Sequence, residues 1–380
     1  MTRKIALVHD WLNQIGGAED VLQTLVEMYP QRPIYTSIYA PDIMPTHYQT
    51  WDIRTRWIDR MPAIHKRHQP YLPLYPLAWG GLDLSAYDVV LSNKSGFCHG
   101  FKHADETLHI CYCLAPTRYV WQLDAYIARE GMGKVAGLGL RPLVAWFKRW
   151  DYNAAQRVNH FIAISTEIQE RIQTYYDRDS VIIYPPVDTK RFNEPQVKPE
   201  DYFLIVSRLI PYKRIDLAVQ AATQLNLPLK IGGKGRDLER LQSLAGPTVE
   251  FLGYVPDEDL PALMAKAKAF IFPGLEDFGI TPVQSQAAGR PVIAYAGGGA
   301  LDTVIPGVTG EHFHTQKVDA LADVMANFDA ARYDPATMRQ YAARFDRIVF
   351  EAQIRAYVEQ ADHAFRNGTP FTWQDPITTR

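Results

Sequence analysis

The sequence predicts an α/β protein built from two doubly wound domains in tandem. Three observations lead there. The chain has 380 residues, which at about 150 residues per domain leaves room for two separate cores. Short apolar, β-branched runs recur at 4–8, 33–38, 88–91, 108–113, 160–165 and 181–184, several too uniformly apolar for strands with one face in water. Helix-period stretches such as 18–28 and 167–176 lie between them, so the runs read as parallel strands covered on both faces by crossover helices.

The elements then follow in order. After 181–184 comes Tyr184-Pro185-Pro186-Val187, with further prolines at 195 and 199. Proline lacks an amide donor and cannot continue a helix or a central strand, so the interdomain linker is placed here. The alternation restarts with strands at 203–206, 229–231, 249–252, 269–272 and 291–294. The pattern from 338 to 365 is helical, and 367–380 is a proline-containing tail that wraps or frays. The domains are set at 1–190 and 200–345, with 346–380 as C-terminal helix and tail. Two such domains are expected to bring the carboxyl ends of their strands, where α/β sheets bind ligands, to face each other across a cleft.

Composition narrows the function. Hydrophobic residues make up 47% and charged residues 22%, ordinary globular values that exclude disorder and collagen-like order. Forty basic against 42 acidic side chains give a net charge of −2, so there is no global attraction to nucleic acid. Cys98, Cys111 and Cys113 are too few for a disulfide framework, and Cys-Tyr-Cys lacks zinc-site spacing. Reduced thiols in the cytoplasm are expected. The apolar start at 5–8 breaks off at His9-Asp10, too soon for a signal-peptide core, and no run reaches the length of a membrane span. Any membrane contact is therefore peripheral, on the inner face of the plasma membrane.

Several motifs carry chemistry. Gly16-Gly17 precedes a helix, where amides can approach an anion without an intervening Cβ, or where a loop needs glycine to turn. Strand 203–206 leads into Ser207-Arg208-Leu209-Ile210-Pro211-Tyr212-Lys213 with no Gly-x-Gly-x-x-Gly, so a nicotinamide or flavin fingerprint is absent. Arg208 and Lys213 instead place cations at a strand's carboxyl end, fit to clamp a diphosphate. Ile231-Gly232-Gly233-Lys234-Gly235 is not a Walker loop; it reads as a turn whose glycines leave space for a flat base or ribose. Asp257-Glu258-Asp259 opens a helix, where carboxylates suit the dipole, rather than forming a metal triplet. The densest stretch is 272–293: a strand ends at Pro273, a loop presents Glu276, and a helix begins at Thr281-Pro282. Thr281 suits the N-cap and Gln284 the third position of a capping box. The same helix start aims free amides at an anion or at sugar hydroxyls.

Glu276-x-Phe278-Gly279 followed by Ala-Ala-Gly-x-Pro-Val, with Ser207-Arg208-Leu209 and Lys213 before it, resembles the retaining family-four glycosyltransferases. The resemblance runs from Gly16-Gly17 through 184–188 to Gly297-Gly298-Gly299, and His9-Asp10-Trp11, Cys111-Tyr-Cys113 and Arg118-Tyr-Val-Trp121 resemble bacterial surface-polysaccharide mannosyltransferases. It implies the GT-B fold, with the C-terminal helix returning to the N-terminal domain. It also implies a nucleotide-sugar donor, GDP-mannose foremost, and a glycan or polyprenyl-diphosphate-linked acceptor, with neither metal nor other cofactor. By this resemblance Arg208 and Lys213 bind the diphosphate and Glu276 faces the donor sugar. Phe278, Gly279, Ile280 and Thr281 offer amides, and Gly16 and Gly17 complete the phosphate cradle. Gly233, Tyr254 and Val255 fall where the base sits, and His99 and Arg118 on the acceptor side. Two positions depart from the family: its second glutamate is Gln284, and Leu114 stands where many relatives have histidine.

Two other activities remain compatible with these residues: a nucleotide-sugar epimerase, which needs a carboxylate such as Glu276 as acid or base, and a non-catalytic sugar-nucleotide binder, to which Gln284 and Leu114 point. Basic residues (Arg54, Arg56, Arg60, Lys66, Arg67; Lys134, Arg141, Lys148, Arg149) interleave with Trp57, Tyr71, Tyr75 and Trp79, and with Leu138, Trp146, Phe147 and Trp150. They form either a headgroup-binding surface or ordinary helix faces with aromatics in the core.

Overall fold

The computed structural model describes residues 3–122, 134–193 and 197–377, with backbone alone over 134–140. Pro195 of the expected linker lies outside the described residues. The chain forms two units, Met1–Pro186 with Phe350–Arg380, and Val187–Val349.

The first unit holds a seven-stranded parallel sheet: β1 (Ile5–His9), β2 (Ile34–Thr36), β3 (Ile53–Thr55), β4 (Val89–Lys94), β5 (Leu108–Cys113), β6 (His160–Ala163) and β7 (Ser180–Ile182), in the order β3-β2-β1-β4-β5-β6-β7. Every residue of β4 and β5 is buried, which is why those runs carry no polar alternation. The sequence pattern missed β3, whose Ile-Arg-Thr is short and largely exposed at the sheet edge. The chain leaves β1 toward β2 on one side, and β4 flanks it on the other, so the topological switch point lies between β1 and β4.

The second unit has six parallel strands: β8 (Phe203–Val206), β9 (Leu229–Gly232), β10 (Val249–Gly253), β11 (Ala269–Phe272), β12 (Val292–Tyr295) and β13 (Gly310–Phe313), ordered β10-β9-β8-β11-β12-β13. Here the switch point lies between β8 and β11. The pattern also missed β13, Gly-Glu-His-Phe. Its glycine is required, because a Cβ at Gly310 would collide with the Val292 carbonyl on β12.

The helical stretch expected over 338–365 is two helices, Pro335–Ala342 and Arg347–Asn367. Asp346 breaks it: its backbone is extended, and its carboxylate accepts from Ile348 N–H and the Thr189 hydroxyl. From Phe350 the second helix belongs to the first unit, where the Phe350 and Tyr112 rings meet at 5.5 Å and Arg366 donates to the carbonyls of Glu106 and Asp88. The tail wraps back along it, with Phe371 against His160 and Tyr357, and Trp373 against Tyr357.

Around the first switch point the sequence places a buried anchor. Asp10, directly after β1, is fully buried, and its carboxylate accepts from the amides of Ser95, Gly96, Phe97 and Cys98 at 2.6–2.8 Å. It thereby locks the loop after β4 to the loop after β1. A Cβ at Gly96 would lie 2.7 Å from the Trp11 ring, which leaves glycine the residue that fits. Asp10→Ala would strand four buried amides and is expected to cost at least about 3 kcal/mol of stability, read by urea unfolding.

Candidate active site

In the second unit the loops after β8 and β11 flank the switch point, the usual ligand position in an open α/β sheet. Lys213 ends the 3₁₀ turn Pro211–Lys213, and Arg214, in the left-handed region at φ 51°, turns the chain into helix Ile215–Leu225. The Lys213 ammonium pairs with the Glu276 carboxylate, the two side chains 15% and 17% exposed. Lys213 therefore does not sit on an open loop: its backbone is in contact with Gly274, where a Cβ would come within 3.0 Å of the Lys213 carbonyl. Arg208 is exposed and donates to the Tyr212 hydroxyl at 3.4 Å. Lys213 and Glu276 share a small pocket with Ser207, Pro273 and Gly274.

The 276–278 loop is held from behind by the triple glycine. Gly299 N–H donates to the Glu276 carbonyl at 2.8 Å. A Cβ at Gly298 or Gly299 would collide with the backbone of Glu276 or Phe278. Phe278 is buried, its ring edge-on to Phe345.

The helix start differs from the expected capping box. Gly279, at φ 97°, is the N-cap, and the helix is Ile280–Ala287 with no side-chain cap. A Cβ at Gly279 would lie 2.9 Å from the Phe272 ring, so close packing and a left-handed turn place the cap two residues before Thr281. The third helical position is then Pro282, not Gln284, and Gln284 falls beyond the first turn with a half-buried side chain. Helix geometry leaves the amides of Gly279, Ile280 and Thr281 without intrahelical acceptors, while Pro282 has no amide to satisfy.

The glycines after β9 allow two loops to approach each other closely. Gly233, at φ 131°, and Gly235 make room for the carbonyls of Ser207 and Leu209. Leu209 N–H donates to the Lys234 carbonyl across that contact. Tyr254 is 64% exposed with the Lys234 ammonium 5.6 Å over its ring, and Val255 is half-buried against Gly232. Asp259 sits at the cap of helix Leu260–Lys266 without bonding its amides, and the Asp257 carbonyl accepts from Arg191.

In the first unit Gly16 is the N-cap of helix Gly17–Met28, and its carbonyl accepts from Glu19 and Asp20. Leu114 follows β5, its amide donating to the Lys94 carbonyl, and Arg118 opens the short helix Arg118–Trp121. His99 is not open to an acceptor. It is fully buried, 3.5 Å from the Asp151 carboxylate, and burial together with the Lys94 charge pushes its pKa well below the usual histidine value, leaving a neutral ring. Sequence reasoning missed Asp151, which accepts from Trp121 Nε1 and Tyr176 Oη at 2.7 Å and lies 2.8 Å from Thr117 Oγ1, so pinning the Arg118–Trp121 turn. The available signal was a lone carboxylate beside Trp150 within an aromatic helical stretch.

The basic and aromatic stretches divide. Tyr75, Trp79 and Phe147 are core residues, whereas Trp57 and Trp146 are about half exposed, the latter near exposed Arg141, Lys148 and Arg149. The side chains of Lys134 and Leu138 lie outside the described residues. Among the described residues no helix is long and apolar enough to cross a membrane.

The family described as Glycosyltransferase Family 4 matches residues 15–191, and the family described as Glycosyl transferases group 1 matches 186–345. A GDP-mannose-dependent alpha-(1-6)-phosphatidylinositol monomannoside mannosyltransferase of Mycolicibacterium smegmatis is 33% identical over 38% of this chain, a stretch that spans 45% of the relative. A GDP-mannose-dependent alpha-mannosyltransferase of the same organism is 28% identical over 71% of this chain and 73% of its own. The crystal structure of Anabaena HepE in complex with UDP shares the fold, with a TM-score of 0.67 at 18% identity over 94% of this chain and 99% of that one. With two successive family matches running from 15 to 345, the chain belongs to the family-four glycosyltransferases.

Proposed function

We propose that the protein is a retaining glycosyltransferase that moves a mannosyl residue from GDP-mannose to a hydroxyl of a glycan or polyprenyl-diphosphate-linked acceptor. The observation that carries this reading is the pairing of Lys213 with Glu276 at the second unit's switch point, with Arg208 in the same loop after β8 as Lys213. Cations for a diphosphate and a carboxylate for sugar hydroxyls stand together there. GDP-mannose is taken from the names of the two mannosyltransferase relatives.

In this mechanism the bond from the sugar's anomeric carbon to the diphosphate breaks while the acceptor oxygen bonds the same carbon on the same face. The acceptor's proton passes to the departing phosphate oxygen, so no protein base is needed. Arg208, Lys213 and the amides of Gly279, Ile280 and Thr281 stabilise the charge that grows on the leaving group. Glu276 holds donor-sugar hydroxyls. Gln284 takes the ribose and the exposed Tyr254 ring, with Val255, the base. We assign Gly16 and Gly17, at the first unit's own switch point, to anion binding through backbone amides, and Arg118 to the acceptor. The exposed Trp146 with Arg141, Lys148 and Arg149 supports peripheral contact with an anionic membrane surface.

Incubation with GDP-mannose and a polyprenyl-diphosphate-linked saccharide should release GDP and mannosylate the acceptor. Isomerised but intact sugar nucleotide would instead identify an epimerase, and no turnover a binder. Arg208→Ala and Lys213→Ala should each lower turnover by roughly 10²-fold or more; near-normal rates would remove that residue from the diphosphate clamp. Because side-chain cations and helix amides meet the diphosphate, EDTA should leave the rate unchanged. Loss of activity restored by Mg²⁺ or Mn²⁺ would refute metal independence.

Gln284 lies outside the cap, so Gln284→Ala should change melting temperature little yet weaken donor binding by about 0.5–1.5 kcal/mol in calorimetric titration. Gln284→Glu should alter affinity through a charge-assisted bond to the ribose. Equal affinity across the series would rule out the ribose contact.

A further inference from the structure

Lys213 is a largely buried cation at the second switch point, and in the free protein that cation is already taken. Glu276 Oε1 accepts from Lys213 Nζ, and both side chains are more than four-fifths buried. The backbone on either side is held. Lys213 rests on Gly274, and the Glu276 carbonyl accepts from Gly299 N–H and is closed over by Gly298. Neither main chain has room to retreat toward its neighbour, so side-chain rotation is the way the pair opens.

A diphosphate arriving at Lys213 must therefore compete with a carboxylate fixed to the same loop system. Its oxygens bring negative charge beside Glu276 while removing the ammonium that neutralised it. A largely buried carboxylate in that position needs new donors. A nucleotide sugar brings them as hydroxyls next to the diphosphate, whereas a bare nucleoside diphosphate has none to offer there. The two ligands carry the same phosphates and differ in what happens to Glu276.

On the reading of this site as a sugar-nucleotide site, we infer that the Lys213–Glu276 pair discriminates between donor and spent nucleotide. The intact donor replaces both halves of the pair at once, cation by phosphate and carboxylate by sugar hydroxyls. After transfer the sugar has left, Glu276 recaptures Lys213, and the nucleoside diphosphate is displaced. Glu276 then sets product release as well as sugar binding, through differential affinity for two ligand states.

The test is calorimetric titration of GDP and of GDP-mannose into the wild-type protein and Glu276→Gln, with UDP and UDP-glucose in parallel. Glutamine keeps the shape and removes the charge that competes for Lys213. Glu276→Gln should bind the bare diphosphate about tenfold more tightly, the scale of one close charge pair. It should gain nothing for the matching nucleotide sugar, whose hydroxyls lose a charged acceptor, so the preference for donor over product collapses. Inhibition of the residual reaction by added nucleoside diphosphate should strengthen by the same factor. Unchanged or weaker diphosphate binding in Glu276→Gln, with the wild type binding both ligands, overturns the inference and leaves the glycosyltransferase reading standing. A wild-type protein that binds none of the four ligands overturns that reading, and this inference with it.

Discussion

Close backbone-to-backbone packing, made possible by glycine, is the constraint on which the second unit's site depends. Gly233 and Gly235 after β9 admit the carbonyls of Ser207 and Leu209, Gly274 after β11 admits the backbone of Lys213, and Gly298 and Gly299 after β12 admit residues 276–278. Each loop leaves the carboxyl end of a different strand, and each leans on the next. A methyl group at any of these contacts would push two main chains apart. The Lys213–Glu276 pair is a consequence: with both backbones in van der Waals contact with a neighbour, the two side chains have little choice but to meet. Preorganisation of this kind is what electrostatic stabilisation of a leaving group requires, since the groups need not be gathered when the charge develops.

The first unit reaches the same rigidity by other means. Buried carboxylates replace glycine contacts: Asp10 gathers four amides of the loop after β4, and Asp151 gathers Trp121, Tyr176 and Thr117 around the loop after β5. A fully buried carboxylate is tolerable only when its oxygens are met by donors, so these anchors fix their loops as firmly as they are themselves satisfied. Lys94, fully buried, donates to the Ala115 carbonyl and the Thr117 hydroxyl and ties the end of β4 into the same network. His99 is enclosed there as a neutral ring, which explains its place in the sequence without any contact to a ligand.

The two units thus share one design with different chemistry. Each sheet reverses its winding direction beside its first strand, at β1/β4 and at β8/β11, and each carries its conspicuous residues in the loops at that reversal. The first unit's loops are fixed by buried charge and the second unit's by glycine. That division suits the donor site proposed for the second unit: main-chain amides there would have to reach phosphate and sugar, and glycine leaves such amides uncovered.

Sequence alone determined the parallel α/β architecture, because fully buried strands need apolar residues at every position and these stand out between helix-period segments. It also put Arg208, Lys213 and Glu276 in loops at the carboxyl ends of strands, and the folded chain pairs Lys213 with Glu276. What it could not determine was set by contacts between segments far apart in the chain. β3 and β13 are short edge strands whose polar residues and glycine hide the pattern, and pairing with β2 and β12 makes them strands. The helix cap moved from Thr281 to Gly279 because the Phe272 ring leaves no room for a Cβ. His99 lost its open position to the packing of Trp150 and Tyr176 around it. Local preference reads neighbours along the chain; burial, close approach and the closing of an ion pair depend on neighbours in space, and only the folded structure supplies them.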